Sequence, residues 1–262
     1  MLIKQIEDSL IARVRMFFGF MGGLSNLATQ TVILTFVPPF KKKRIFEQAQ
    51  RAGLDSLPIV SLIALFIGVI FAFQISYLMR KLGSEMYIAS IVALSIVREL
   101  GPVITSLVVA GRVGAAITAE IGTMQVTEQV DALTSLATNP VQYLVVPRFL
   151  ALTLMLPLLT LYADIIGILG GWMICVFKLG IPSSMYMNVT FESLRYKDIV
   201  TGLIKTLFFG MIIAFVSCYQ GFNVEGGAEG VGKATTRSVV SSFILIIACD
   251  CFFTALFYFI FP

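Results

Sequence analysis

Long apolar runs divided by short charged segments dominate the pattern of this chain. Between Asp55 and Arg80 lies an uncharged stretch of Leu, Ile, Val and Phe, long enough to span a bilayer with some tilt. A second run, from about Met86 toward Ala119, is interrupted by Arg98-Glu99 and then by Gly101-Pro102. Proline removes a backbone donor, so a bent or broken helix is expected there. The third run falls between Arg148 and Lys178 with Asp164 inside, the fourth from about Ile199 to Phe222 with Lys205 inside, and the fifth from about Ser238 to Phe261 with Asp250 inside. At about 20 residues per crossing these runs predict about five transmembrane helices. Upstream, Val14 to Val37 is apolar but broken by Gly19, Gly22, Gly23, Ser25, Asn26 and Thr29-Gln30-Thr31, and it ends at Pro38-Pro39. A span, a re-entrant hairpin and an interfacial helix all fit it; the polar residues at its middle favour a surface or partly inserted helix.

Composition narrows the class. Of 262 residues 58% are apolar and 13% charged, against about 45–50% and about 25% in soluble domains. An ordinary soluble fold is excluded, and an all-α integral membrane protein is expected. Residues 1–54 read as an N-terminal cytoplasmic or interfacial segment and residues 55–262 as the transmembrane domain. No separate soluble domain fits this length, so any energy source has to come from another subunit. There are no histidines, and Cys175, Cys218, Cys249 and Cys251 lie in apolar runs without a Cys-x-x-Cys spacing, which argues against a metal site or disulfide framework.

Net charge is only +4, but its placement orients the chain. Lys4, Arg13, Arg15, Lys41, Lys42, Lys43, Arg44 and Arg51 precede the first full span, whereas the Arg80 to Glu85 turn carries Arg80 and Lys81. The positive-inside rule places the N-terminus in the cytoplasm, together with the segments Glu120 to Pro147 and Asn223 to Arg237, and the C-terminus outside. The basic run at 41–44 reads as a topology signal and anionic-lipid contact. Lys4 beside Glu7 and Asp8, without a small-residue cleavage site, does not read as a removed signal peptide, so the chain is expected to keep Met1. Nothing supports nucleic-acid binding.

Arg98, Glu99, Asp164, Lys205 and Asp250 stand inside apolar stretches, where ionisable groups are costly and mark functional sites or structural pairs. Adjacent helical residues point about 100° apart, so Arg98 and Glu99 cannot neutralise each other and each needs another partner or a ligand. Lys205 is expected to pair with Asp250, and Arg98 to face a cavity where it meets a phosphate. The loop from Gly227 to Ala234 nearly spells a P-loop, but Ala234 lacks the hydroxyl that holds magnesium and no strand precedes it; its glycines read as a turn before the fifth span. Asn188-Val189-Thr190 formally matches a glycosylation acceptor and receives no role. Gly19-x3-Gly23 and Gly167-x3-Gly171 read as close-packing devices. Between the second and third spans, Thr127 followed by Glu128 and Asp131 starts a short helix that Asn139-Pro140 ends. An exposed helix there suits an integral subunit that receives force from a soluble motor.

The blocks Arg98-Glu-Leu-Gly-Pro102, Ala110-Gly-Arg-Val-Gly-Ala115, Ala119-Glu-Ile-Gly-Thr-Met124, Thr127-Glu-Gln-Val-Asp-Ala-Leu133, Asn139-Pro140, Val146-Pro-Arg148 and Gly226-Gly-Ala-Glu-Gly-Val-Gly-Lys-Ala-Thr-Thr-Arg237 together resemble the MlaE/YrbE permease family over roughly residues 45 to 260. Lys233 stands where arginine is also common and keeps the charge. The resemblance implies the membrane subunit of an ABC-type phospholipid transporter in a bacterial inner membrane. It would work with a second copy of itself, a pair of ABC ATPase subunits that bind ATP and magnesium, an MCE-domain ring protein and, in the Mla version, a STAS-domain protein. This chain then needs no cofactor and is not itself an enzyme. By the same resemblance Arg98 and Glu99 lie near the lipid path, Lys205, Asp250 and Asp164 support the cavity, and Glu120, Glu128, Asp131, Asn139 and Arg148 couple to the ATPase. Phe71, Ile75, Tyr77 and Leu78 are placed along the acyl chains by span position. Competing readings are an ion-coupled secondary carrier, weakened by the lack of a visible inverted repeat, and a membrane scaffold for a partner ring.

Overall fold

The computed structural model describes residues 2–38 and 42–260, with no strand among them. Met1, Pro39, Lys41 and Phe261 lie outside the described residues, as do the side chains of Lys4, Glu7, Asp8 and Arg13. Helix α1 (Leu2–Thr35) is followed by α2 (Lys42–Ala52), a 3₁₀ turn at Leu54–Ser56, and α3 (Leu57–Lys81). The next span, Glu85 to Val126, contains α4 (Ile88–Ser95), α5 (Gly101–Val109) and α6 (Ala115–Val126), joined by π turns at Ile96–Leu100 and Ala110–Gly114. Short α7 (Gln129–Ser135) and a π turn at Val141–Val145 lead into α8 (Val146–Phe177), then α9 (Ser183–Ser193), α10 (Tyr196–Phe222) and α11 (Gly227–Ile260). Among the described residues, five helical stretches are long and apolar enough to cross a membrane: Lys42–Lys81, Glu85–Val126, Val141–Phe177, Tyr196–Phe222 and Gly227–Phe259. Helix is the expected form, because hydrocarbon offers no partner for an open backbone group.

Several local expectations are corrected. Helix α1 runs unbroken, so the N-terminal segment is not a re-entrant hairpin; Thr29, Thr31 and Thr35 spend their hydroxyls on carbonyls one turn back and leave its path intact. The second span is irregular where expected, a π turn at Ile96–Leu100 running into Gly101-Pro102, but it stays helical throughout rather than breaking. Thr127 does not cap α7, because its hydroxyl donates to the Thr123 carbonyl; Glu128 takes the cap position with a left-handed backbone, φ 56°. Asn139 does not end that helix either. Its side-chain oxygen accepts the Val141 and Gln142 amides and so starts the next one. Of the glycines before the fifth span, Gly226 and Gly227 make the turn with positive φ, while Gly230 and Gly232 are helical and Lys233 is paired with Glu229 one turn back, 2.6 Å away.

Helix α8 is the central pillar, against which α2, α3, α5 and α10 pack. Gly167-x3-Gly171 performs the expected close packing: a Cβ at Gly68 on α3 would collide with the Gly167 carbonyl. The companion Gly19-x3-Gly23 does so only at Gly23, which lies under Tyr219, whereas Gly19 faces open space. One buried cluster, with Leu152, Leu156, Phe209 and Ile213, joins α8 to α10 and α6; another, with Ala72, Ile88, Val92, Ile96 and Tyr186, joins α3, α4 and α9 near the opposite end of α8. The Gln142 side chain donates to the Val37 carbonyl, and Arg44 donates to the Tyr143 hydroxyl while lying over its ring, so α2 and α7 share one end of the molecule. The α9 helix marks the other end.

Candidate functional site

Pro102 has no amide proton, so the carbonyl four residues back, that of Arg98, loses its helical donor. A membrane helix tolerates this only where another group supplies the bond. Lys205 on α10 supplies it, its ammonium donating to the Arg98 carbonyl at 3.3 Å. The same ammonium donates to Glu99 Oε2 at 2.7 Å and to Thr254 Oγ1 at 2.7 Å, and Thr254 in turn donates to Glu99 Oε1 at 3.1 Å. All three protons of Lys205, which is only 2% exposed, are thereby used. Asp250 Oδ1 lies 2.9 Å from the ammonium yet accepts no aligned hydrogen bond among the described residues, so it contributes chiefly charge. The Lys205–Asp250 pair is present, within a triad that also holds Glu99.

Arg98 points elsewhere, as adjacency requires. Its Nε lies 3.1 Å from Asp198 Oδ1 at the start of α10. The other oxygen of Asp198 accepts the Arg195 amide at 2.9 Å and so caps that helix. Two cavities meet here. An inner one of about 300 Å³ is lined by Arg98, Glu99, Lys205, Thr254 and Phe257 among others, and an outer one of about 660 Å³ by Arg98, Glu192, Arg195, Lys197 and Asp198. Leu94, Thr201, Phe257 and Tyr258 border both. A charged interior between apolar walls can hold a polar head beside an aliphatic chain.

Asp164 is not drawn into this network. It is buried on α8 against Gly101, where a Cβ would meet its Oδ1, and that oxygen has no hydrogen-bond partner among the described residues. On α3, Phe71 and Ile75 pack on the second core cluster, while Tyr77 and Leu78 face outward and Lys81 lies 4.2 Å over the Tyr77 ring. None of these four lines the Arg98 cavities.

At the α7 end, Glu120 and Arg148 come together. Arg148 sits inside α8 and is 5% exposed rather than in an open loop; it donates to Glu120 Oε2 at 2.8 Å and to the Leu144 carbonyl at 2.7 Å. Arg51 on α2 lies 3.7 Å from the other oxygen of Glu120. Glu128, Asp131 and Asn139 lie around α7, with Asp131 in its first turn, where a carboxylate favours the helix dipole. Among the described residues no group of three or more His, Cys, Asp or Glu could hold a metal.

Sequence reasoning missed Thr254, Asp198 and Arg51. Thr254 was detectable in principle, standing four residues after Asp250 and therefore on the same helical face. Asp198 carries a weaker signal, an acid in the first turn of a helix. Arg51 had none beyond its charge.

A family described as permease MlaE matches residues 45–256. A probable ABC transporter permease protein of Rickettsia felis is 42% identical over 257 residues, 98% of this chain and 99% of the relative. Another so described, from Synechocystis sp., is 41% identical over 211 residues, 80% of each. The chloroplastic protein TRIGALACTOSYLDIACYLGLYCEROL 1 of Arabidopsis thaliana is 38% identical over 232 residues, 88% of this chain and 66% of that one.

Proposed function

This chain belongs to the MlaE permease family, and we propose that it is the membrane subunit of an ATP-driven transporter that moves phospholipid between the inner and outer membranes of a bacterium. It is a multi-pass membrane permease of the ABC class; the lipid cargo is the further step. The observation that carries it is the Arg98–Glu99–Lys205 cavity within apolar helices. Ionisable side chains at membrane depth are retained where they serve polar cargo or one another, and here they border a space also lined by Leu94, Phe257 and Tyr258. A glycerolipid in the name of the Arabidopsis relative points the same way.

In this reading the phosphate meets Arg98 beside Glu99, and acyl chains run along α3 past Phe71, Ile75, Tyr77 and Leu78, where a second copy covers them. Lys205 and Asp250 hold the cavity's shape, and Asp164 supports it only from behind, against Gly101. Residues 55–262 form the translocating domain and residues 1–54 the interfacial segment. The α7 end lies in the cytoplasm, where an ABC ATPase pair that binds ATP and magnesium acts through Glu120, Glu128, Asp131, Asn139 and Arg148. An MCE-domain ring, joined in some assemblies by a STAS-domain protein on the cytoplasmic side, continues the route outside, and net transport maintains outer-membrane lipid asymmetry.

Gentle purification of the tagged chain from its native membrane, with mass spectrometry of bound proteins and lipids, tests this reading. An ABC ATPase, an MCE protein and glycerophospholipid are expected to co-purify. A chain that arrives alone and drives transport in vesicles from an ion gradient without an ATPase is a secondary carrier instead. Normal lipid transport by Arg98→Ala and Glu99→Ala variants in intact assemblies would make it a scaffold.

A further inference from the structure

Arg98 stands at the junction of the inner and outer cavities, where its guanidinium is paired with the Asp198 carboxylate. Asp198 is 9% exposed where Arg98 is 52% exposed, so the carboxylate is the fixed member of the pair and the guanidinium the accessible one. The two Asp198 oxygens are engaged separately, Oδ1 by Arg98 Nε and Oδ2 by the Arg195 amide. If Arg98 swings away, a largely buried carboxylate oxygen loses its ion partner, and the attraction between the two draws the guanidinium back. The outer cavity adds Arg195 and Lys197 to Arg98, against Glu192 and Asp198, a cation excess that one phosphodiester anion would balance.

We infer that Asp198 is a latch for Arg98: it neutralises the guanidinium while the cavity is empty, yields it to the phosphate of an entering glycerophospholipid, and reclaims it to drive release. The inference rests on the lipid-transport reading and deepens it. Asp198 is a positioning residue that acts through Arg98. Capture is reversible because two anions, one fixed and one mobile, compete for a single guanidinium. A pocket of fixed cations without such a competitor would bind phosphate and retain it.

Asparagine at this position separates helix capping from the ion pair, since Asp198→Asn keeps one acceptor oxygen for the Arg195 amide and turns an NH2 in place of a carboxylate oxygen toward Arg98. The complete assembly, purified from its own membrane, is loaded in phosphatidylcholine nanodiscs with tail-labelled fluorescent phosphatidylglycerol, and both bound probe and its dissociation rate are measured. Asp198→Asn is expected to retain more probe and release it more slowly, by at least about threefold, the equivalent of a weak ion pair. Asp198→Glu is expected to stay near wild type, and the Arg98→Gln, Asp198→Asn double variant to lose the gain. Asp198→Ser, which also keeps an acceptor, substitutes if the asparagine variant fails to assemble. Retention at or below wild type in an assembled Asp198→Asn complex, or a gain that survives in the double variant, overturns the latch. A probe that binds no variant and not the wild type overturns the lipid reading and the latch with it. A residue that merely braced the fold would lower retention when changed, so the direction of the effect discriminates.

Discussion

Lys205 is where the Arg98 carbonyl freed by Pro102, two carboxylates and a hydroxyl converge on a single ammonium. Removing the buried cation leaves Glu99 and Asp250, 42% and 20% exposed, without the charge that separates them, and leaves the Arg98 carbonyl without its donor. Lys205→Met is therefore expected to lower the thermal midpoint of the purified complex markedly, read by size-exclusion after heating, and to abolish transport. Exchanging Lys205 and Asp250 does not restore the site, because Glu99 would then lie against a second carboxylate. Arg148 makes a similar point at the other end. Its guanidinium serves the Leu144 carbonyl and Glu120 through different nitrogens, a fork that lysine cannot reproduce. Arg148→Lys is expected to keep the chain in the membrane while severely reducing ATP-driven lipid transport, measured alongside ATPase rate in vesicles.

Among elements, the contact of α3 with α8 depends on missing side chains. Because Gly68 lies against the Gly167 carbonyl, Gly68→Val forces the helices apart, at a cost of about 1–3 kcal/mol from overpacking; the expected outcome is a lower melting temperature. Helix α7 is bracketed by Glu128 and Ala137, both non-glycine residues in left-handed conformation, with φ 56° and φ 55°. Ala137→Gly relieves about 1 kcal/mol of that strain and is expected to raise stability slightly, measured by protection of α7 amides from hydrogen exchange. The spans themselves were legible in the sequence because hydropathy is summed over many residues and tolerates local error. Their ends and irregularities were not. Whether Pro102 breaks a helix or is absorbed by a π turn depends on Lys205, about a hundred positions away, and whether Asn139 stops one helix or starts the next depends on a choice between neighbouring amides. The Lys205–Asp250 pair followed from a shortage of alternatives at membrane depth, whereas Asp198 escaped notice because it sits at a helix start where acids are common.

For the whole molecule, the Glu85–Val126 span links the two ends, carrying Glu99 toward the α9 end and Glu120 at the α7 end. The 21 residue steps from Glu99 to Glu120 correspond to about 32 Å of helix, comparable to the hydrocarbon thickness of a bilayer. One helical stretch, divided by the π turns at Ile96–Leu100 and Ala110–Gly114, thus joins the charged cavity to the α7 end. Exposed apolar side chains on α11, among them Val240, Ile244 and Ile247, recur at helical spacing and form a stripe that lipid or another helix has to cover.

The separation of α7 from the charged mouth also constrains symmetry. Copies inserted into one membrane all point the same way, so any two of them related by a two-fold axis share an axis along the membrane normal. Their two α7 helices then present themselves as a pair on one face, and their two mouths open side by side on the other, so whatever binds at either face meets a two-fold target.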